Sequence, residues 1–270
     1  MPVHISGQTK LWQRYDTQTR LRIWAGWLSG IIVTLICWNV ISGSTRWEFV
    51  ADASQQLGIF LQRMFPPDWS YASQLWQPLW DTVNIATLGT LLAVVLSFPL
   101  GFLAARNTTP HPLIRYLALL IIVVSRSVNS LIWALIIVAI TGPGNLAGII
   151  AIGLRSIGFI GKLAYESIEE TSREPIEAIT ATGASPLQVL SYSILPQVMP
   201  SFAGISVFRW DINIREATVL GLVGAGGIGL NLNSAVNLLR WDQAAMIFVA
   251  IFGLVLISEW VSAKVRQAII

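Results

Sequence analysis

Charged residues are scarce in this chain of 270 residues, where Asp, Glu, Lys and Arg make up only 11%. Soluble domains carry roughly a quarter of their residues as charges, and they need them to cover their surface. Hydrophobic residues make up 54%, and the mean hydropathy is +0.65. The composition therefore excludes a soluble globular domain and a disordered chain, and it indicates an integral membrane protein.

Cysteine and histidine are also scarce, which removes several function classes. Cys37 is the only cysteine, so a disulfide-stapled secreted domain is excluded. His4 and His111 are the only histidines and are isolated in the sequence, so we expect no metal site. No nucleophile–base pair or paired carboxylates stand out, and we therefore expect a protein that is not an enzyme.

The sequence lacks a phosphate-binding loop of the pattern G-x-x-x-x-G-K followed by Ser or Thr. Gly161-Lys162 is the nearest approach, but Leu163 follows it and the upstream glycine is missing. The chain therefore cannot hydrolyse ATP through such a loop. If it transports a solute, the energy must come from another subunit or from an ion gradient.

Long apolar stretches predict about six transmembrane helices, because a spanning helix needs about 20 mostly apolar residues. In chain order the stretches are 23–42, 82–105, 113–141, 146–163, 198–222 and 244–261. The third is interrupted around Arg126 and Asn129, so it is either one helix or two. The first resembles a signal peptide, but it is too long and lacks a small-residue cleavage site. We interpret it as a retained helix, and the fold class is predicted to be all-α integral membrane.

Basic residues near the ends of the spans predict the orientation of the chain. They flank the first span, follow the second and end the chain: Lys10, Arg14, Arg20, Arg22, Arg106, Arg115, Lys264 and Arg266. With six spans these regions lie on one side, so both termini are predicted to be cytoplasmic. Residues 165–197 then also lie in the cytoplasm. That segment is acidic, which favours docking to a partner protein over binding to anionic lipid.

A spaced motif within that segment predicts two short helices joined by a turn. Its members are Glu177, Ala178, Gly183, Ala184, Leu195 and Pro196. Gly183 allows the chain to turn after the first helix, and Ser185-Pro186 suits the N-cap and first position of the second. An ordinary amphipathic helix at the membrane surface is the alternative interpretation.

This spacing resembles the EAA signature of ABC importer permeases, although Ile179 and Ser193 depart from it. Five further stretches resemble the phosphonate importer permease (PhnE) family, which includes phosphite importers. In chain order these stretches are 65–68, 173–179, 195–200, 215–219 and 221–229. The chain is therefore similar to the methionine-transporter-like, type I importer permease superfamily over roughly residues 60–267.

The resemblance implies a type I ABC importer permease fold with a cytoplasmic coupling-helix insertion between the fourth and fifth spans. Residues 1–78 would hold the N-terminal tail, the first transmembrane helix and a periplasmic linker. Residues 79–267 would form the permease core, with coupling helices at about 166–197. The six motif residues would couple the permease to an ATPase.

The resemblance also implies the function. The chain would be the permease subunit of an ATP-driven importer that moves phosphonate or phosphite across the bacterial inner membrane by alternating access. Its partners would be a second copy of itself, two ATP-binding cassette subunits that bind ATP and Mg²⁺, a periplasmic or lipid-anchored binding protein, and the lipid bilayer. We expect no cofactor on this chain and no nucleic acid. A permease for another oxyanion or methionine, and an ion-gradient-driven secondary transporter, remain alternatives.

Polar side chains inside the apolar stretches predict the translocation path, because charges at membrane depth are costly and usually face the interior of a bundle. The candidates are Arg126, Asn129, Arg209, Asp211 and Arg215. A guanidinium can hold a compact oxyanion with a forked pair of hydrogen bonds. The alternative is internal ion pairing, which we expect to join different helices because adjacent helical positions point apart.

A glycine-rich stretch follows the fifth span, and the resemblance implies that it is a gate loop near the periplasmic mouth. The candidates are Gly224, Gly226, Gly227 and Gly229. They match the dinucleotide pattern G-x-G-x-x-G, but no alternating strand–helix pattern surrounds them, and Asp242 follows too closely. We interpret the stretch as a flexible break, which is tolerated where it lines protein or water.

Overall fold

The computed structural model describes residues 3–6, 9–12 and 15–269. The chain divides into two units, Met1–Phe60 and Leu61–Ile270. The first unit contains a short antiparallel hairpin, β1 (Val3–Ser6) and β2 (Thr9–Trp12). The helix α1 (Thr17–Ser44) follows. Its 28 residues extend over about 42 Å at 1.5 Å per residue, which is enough to cross a bilayer.

Two shorter helices follow α1, namely α2 (Trp47–Ala51) and α3 (Ala53–Met64). The chain then turns at Phe65-Pro66-Pro67-Asp68, with a cis Phe65–Pro66 bond. Asp68 caps the 3₁₀ turn Trp69–Leu75 by accepting the backbone N–H of Ser70 at 3.0 Å. Hydrogen bonding from the Ser70 hydroxyl is the main cause that holds the pKa of Asp68 below its ordinary value.

The rest of the second unit is helical. Its helices are α4 (Trp76–Ala104), α5 (Pro112–Ser127), α6 (Ser130–Thr141), α7 (Asn145–Glu169), α8 (Arg173–Ala181), α9 (Pro186–Val189), α10 (Leu195–Leu220), α11 (Ile228–Asn237) and α12 (Trp241–Ile269). A π turn, Leu190–Ile194, leads from α9 into α10, and a 3₁₀ turn, Gly221–Val223, follows α10. The predicted helical fold class is confirmed for this unit.

Four helices among the described residues are long and apolar enough to cross a membrane, or up to six if each bent pair counts as one span. The four are α1, α4 with its preceding turn, α7 and α12. The third predicted span is two helices, because α5 and α6 are bent by 92°. The fourth is longer than predicted, since α7 continues to Glu169, where Lys162 and Glu166 pair at 3.2 Å. Residues 166–169 therefore belong to α7 and not to a separate coupling helix.

The core of the second unit is the contact of α4 with α7, which α10 joins. Glycines allow close approach there: a Cβ at Gly89 would lie 2.8 Å from Ile152 Cγ2, and one at Gly153 would lie 2.7 Å from Leu92 Cδ2. Lipid tails are as apolar as leucine, so close packing, not transfer out of water, stabilises helix contacts in a bilayer. The small residues therefore determine where these helices meet.

Candidate functional site

A chain of hydrogen bonds between buried polar side chains crosses this core. Asn213 Nδ2 on α10 donates to Thr90 Oγ1 on α4 at 2.7 Å. Ser156 Oγ on α7 donates to Asn213 Oδ1 at 3.1 Å, and Arg209 Nε donates to Ser156 Oγ at 2.9 Å. All four side chains are buried. Because a buried polar group without a partner costs about 1–3 kcal/mol, the chain of bonds holds α4, α7 and α10 in one arrangement.

The hydrogen-bond chain ends at a cluster of charges. Arg209 Nη2 donates to Glu216 Oε1 at 3.1 Å, and Arg155 Nε on α7 lies 3.3 Å from the same oxygen. The Arg209 guanidinium also lies 5.2 Å from the ring centroid of Phe159. The exposed fraction of the side chain rises from 3% for Arg209 to 19% for Glu216 and 30% for Arg155. The cluster therefore leads from the core toward the surface of the chain.

A second ion pair lies on α10, where the Arg215 guanidinium contacts the Asp211 carboxylate. Ser258 Oγ on α12 donates to Asp211 Oδ1 at 2.8 Å. The expectation that internal pairs join different helices is wrong for Arg215–Asp211 and for Arg209–Glu216. Both pairs lie within α10, because positions four and seven apart share one helix face.

A cavity of ≈ 640 Å³ opens beside these charges. Its polar lining residues are Asn129, Ser130, Arg155, Arg215 and Glu216. The break between α5 and α6 brings Asn129 to the cavity, where its Oδ1 caps α6 by accepting the Leu131 N–H at 3.1 Å. A broken helix at membrane depth is tolerated where it lines protein or water. The cavity is accordingly the best candidate for a polar passage in the described chain.

The structure brings together some of the residues that were predicted to line the translocation path. Asn129 and Arg215 line the cavity, and Arg209 lies behind it, joined through Glu216. Asp211 is buried against α12. Arg126 does not line the cavity and is exposed at the end of α5. Its backbone packs closely on α7, since a Cβ at Gly158 would lie 2.7 Å from the backbone nitrogen of Arg126.

Sequence reasoning missed two charged residues of the cavity lining, Arg155 and Glu216. Both carried a signal, since Arg155 is a charge in the middle of an apolar stretch and Glu216 a carboxylate near the end of another. The contact that joins them lies between α7 and α10, 61 positions apart in the chain by residue number. No local pattern brings two such residues together.

The predicted coupling segment forms two short helices with a turn between them. Glu177 and Ala178 are exposed on α8, and the chain reverses at Gly183, whose φ is +79°. Ser185 begins α9 as its N-cap, and its backbone N–H donates to Gln188 Oε1 at 2.7 Å. The local prediction of helix, glycine turn and capped helix is confirmed, while the role of these residues in coupling stays a prediction.

A groove of ≈ 680 Å³ runs beside α8, with Glu177 and Ala184 in its lining. The loop between α4 and α5 forms part of its wall and is held by the end of α7. The backbone N–H of Arg106 donates to Glu169 Oε1 at 2.9 Å, and Asn107 Nδ2 donates to the Ile168 carbonyl at 2.7 Å. A body that docks in this groove would therefore contact α8 and the ends of two membrane helices. The remaining motif residues, Leu195 and Pro196, begin α10.

The glycine loop forms a closely packed turn, while its predicted flexibility and its role as a gate stay predictions. Gly224, Gly226 and Gly227 have φ values of +87°, +87° and +71°. A Cβ at Gly227 would lie 2.7 Å from Thr82 Oγ1, and one at Gly226 would collide with Asn145. Gly229 has no more room, since a Cβ there would collide with the Thr218 carbonyl. The loop therefore packs against residues of α4, α7 and α10 at one end of these helices.

Solved structures share the fold of this chain. An inward-facing structure of the MetNI methionine ABC transporter matches with a TM-score of 0.65 and 18% identity, over 75% of this chain and 99% of that one. An amino acid ABC transporter crystallised with histidines matches with a TM-score of 0.64 and 16% identity, over 74% and 95%. At such identities the likeness shows the fold alone, which is that of type I importer permeases.

The family follows from sequence. The family model described as "Binding-protein-dependent transport system inner membrane component" matches residues 97–265. The chain therefore belongs to this family and is a membrane permease subunit, with ATP hydrolysis on a separate subunit. The predicted resemblance to phosphonate and phosphite permeases is confirmed.

Three relatives illustrate that resemblance. The phosphite transport system permease protein PtxC of Stutzerimonas stutzeri is 39% identical over 87% of this chain and 85% of its own length. The putative phosphite transport system permease protein HtxC of the same organism is 31% identical over 94% and 90%. The phosphate-import permease protein PhnE of Mycolicibacterium smegmatis is 38% identical over 81% of this chain, which spans 41% of that protein.

Proposed function

We propose that this chain is the transmembrane subunit of an ATP-driven importer for phosphite or phosphonate. The cavity beside Arg155 and Arg215 is the observation that supports this substrate class most directly. A guanidinium binds a tetrahedral oxyanion with two parallel hydrogen bonds. The names of the phosphite permease relatives point to the same chemistry.

The balance of charge around the cavity also favours an anion. The cluster contains three arginines and two carboxylates: Arg155, Arg209, Arg215, Asp211 and Glu216. One positive charge is therefore in excess. Such a charge is costly against lipid, so we infer that this face borders water or protein in the assembled transporter.

We propose a homodimer in which this face borders the passage between the two copies. Two ATP-binding cassette subunits, which bind ATP and Mg²⁺, would dock at the groove beside α8. A substrate-binding protein would deliver the anion at the opposite side of the inner membrane. This arrangement places both termini in the cytoplasm and assigns no cofactor to this chain.

We assign the parts of the transport cycle to successive segments of the chain. Residues 79–267 form the permease core, and residues 1–78 supply the tail, α1 and the linker. Closure of the ATPases would displace α8 through Glu177, Ala178, Gly183 and Ala184, and Leu195-Pro196 would pass the movement to α10. The buried hydrogen bonds between α4, α7 and α10 would then move as a unit, and the loop 224–229 would open or close the outer end.

Phosphate is the second candidate substrate, because a relative 38% identical is named a phosphate-import permease. The test is the ATPase activity of the complex in lipid with its binding protein, titrated with phosphite, methylphosphonate, phosphate and methionine. Stimulation by phosphite or methylphosphonate supports the proposal. Stimulation by phosphate or methionine alone overturns the substrate and keeps the importer class, and the absence of any stimulation overturns both.

A further inference from the structure

Glu216 occupies an unusual position in the cavity wall, because its two carboxylate oxygens differ in their surroundings. Oε1 contacts both guanidinium groups, at 3.1 Å from Arg209 Nη2 and 3.3 Å from Arg155 Nε. Oε2 is buried and has no hydrogen-bond partner among the described residues. One carboxylate oxygen therefore contacts two guanidinium groups, while the other oxygen is left without a hydrogen-bond partner among the described residues.

The two arginines differ in their freedom to leave that carboxylate. Arg209 is 3% exposed and is held by Ser156 as well as by Glu216. Arg155 is 30% exposed, lines the cavity, and makes one further hydrogen bond, from Nη1 to the Val128 carbonyl at 3.2 Å. Of the two arginines that contact Glu216, Arg155 is accordingly the one that an anion in the cavity would contact.

We propose that Glu216 is the internal counter-anion of the passage and sets how tightly the passage holds an oxyanion. With the cavity empty, Oε1 binds Arg155. An entering oxyanion takes the Arg155 donors from Glu216, and the return of the carboxylate expels it. This inference rests on the proposed function and gives Glu216 the role of setting the affinity of the passage for its substrate.

The physical reason is the requirement for release. A translocation site must bind well enough to admit its substrate and weakly enough to let it leave. Charge-assisted hydrogen bonds are roughly twice as strong as neutral ones, so arginines without a competing carboxylate would retain the anion. A carboxylate attached to the same wall competes for the same donors at a permanently high local concentration.

The decisive experiment uses the complete complex in proteoliposomes with ATP and the ATPase subunits on the lumenal side. Uptake of labelled phosphite is measured at saturating binding protein while unlabelled phosphite is preloaded in the lumen. For Glu216→Gln, which keeps the shape and removes the charge, we expect the half-inhibitory lumenal phosphite concentration to fall about tenfold. The maximal uptake rate should fall as well, since release becomes slow.

The matched control is Glu259→Gln. Glu259 is exposed on α12 and has no ion pair within the part of the chain that the structure describes. Its half-inhibitory concentration should equal that of the wild type. An unchanged or raised half-inhibitory concentration in folded Glu216→Gln overturns the proposal and leaves Glu216 as a structural ion-pair partner.

A second variant changes the other partner of the Arg155–Glu216 contact and serves if Glu216→Gln does not fold. Arg155→Gln removes the donor that faces the cavity and leaves the Arg209–Glu216 pair in place. We expect its half-inhibitory concentration to rise about tenfold, and no change would overturn the proposal. If phosphite fails to act on the wild-type complex, the proposed function itself is at fault. If phosphite acts on the wild-type complex but both variants have the wild-type half-inhibitory concentration, the role of Glu216 is refuted and the proposed function stands.

Discussion

Asn213 on α10 donates a hydrogen bond to Thr90 on α4, 2.7 Å away, and both side chains are buried. Ser156 on α7 donates to the same amide. One asparagine therefore joins the three helices that form the core of the second unit. In an apolar membrane core these bonds specify a single rotation for each helix, which is a requirement for any part that must move as a rigid body.

Replacing Asn213 with Leu should lower the thermal midpoint of the detergent-solubilised complex. The loss should correspond to about 1–3 kcal/mol, because Thr90 and Ser156 lose a buried partner. The double variant with Thr90→Val should cost less than the sum of the single variants, because they share one bond. Strictly additive losses would show that the bond contributes nothing.

The two arginines of α10 should respond differently to replacement by Gln. Arg209 is 3% exposed and Arg215 is 48% exposed. Arg209→Gln leaves Glu216 without one of its two partners and should cost about 3 kcal/mol of stability. Arg215→Gln leaves Asp211 the hydrogen bond from Ser258, so the folded yield should fall less than for Arg209→Gln. Uptake should fall about tenfold, as expected for one lost charge-assisted contact. Yield by gel filtration and phosphite uptake separate the two effects, and equal losses of yield would contradict this assignment.

Glu177 should matter for coupling in a way that its neighbour Glu174 does not. Both are exposed on α8, but only Glu177 lines the groove. Glu177→Ala should lower the ratio of phosphite transported to ATP hydrolysed about tenfold, the size of a typical coupling free energy. Glu174→Ala is the matched control and should leave the ratio unchanged. Normal coupling in both variants would argue against docking at the groove.

The glycine loop offers a test of packing. Gly226 has a φ of +87°, and the Cβ introduced by Gly226→Ala would also collide with Asn145. The variant should therefore destabilise the complex by more than about 1 kcal/mol. Gly204→Ala is the control, because Gly204 lies within α10 and a Cβ there meets nothing within 4 Å. That change should stabilise the helix by about 1 kcal/mol. The thermal midpoints of the two variant complexes measure both stability changes. An unchanged midpoint for Gly226→Ala would mean that the loop is loosely packed.

Local features of the chain were accessible from the sequence because their causes are local. The spans follow from runs of apolar residues that must satisfy their backbone hydrogen bonds within a helix. The turn at Gly183 and the N-cap at Ser185 follow from the backbone and side-chain chemistry of single residues. The motif around Glu177 indicated the permease family for the same reason, since its spacing is contained in one continuous segment.

The candidate site was only partly accessible, because tertiary contacts decide it. The apolar stretch that holds Arg209, Asp211 and Arg215 is visible in the sequence. Only the packing of α7 against α10 brought Arg155 to Glu216, and only the helix break placed Asn129 beside them. Which charges pair depends on helix rotation, and rotation is set by steric fit at glycines and by buried hydrogen bonds between segments far apart in the chain.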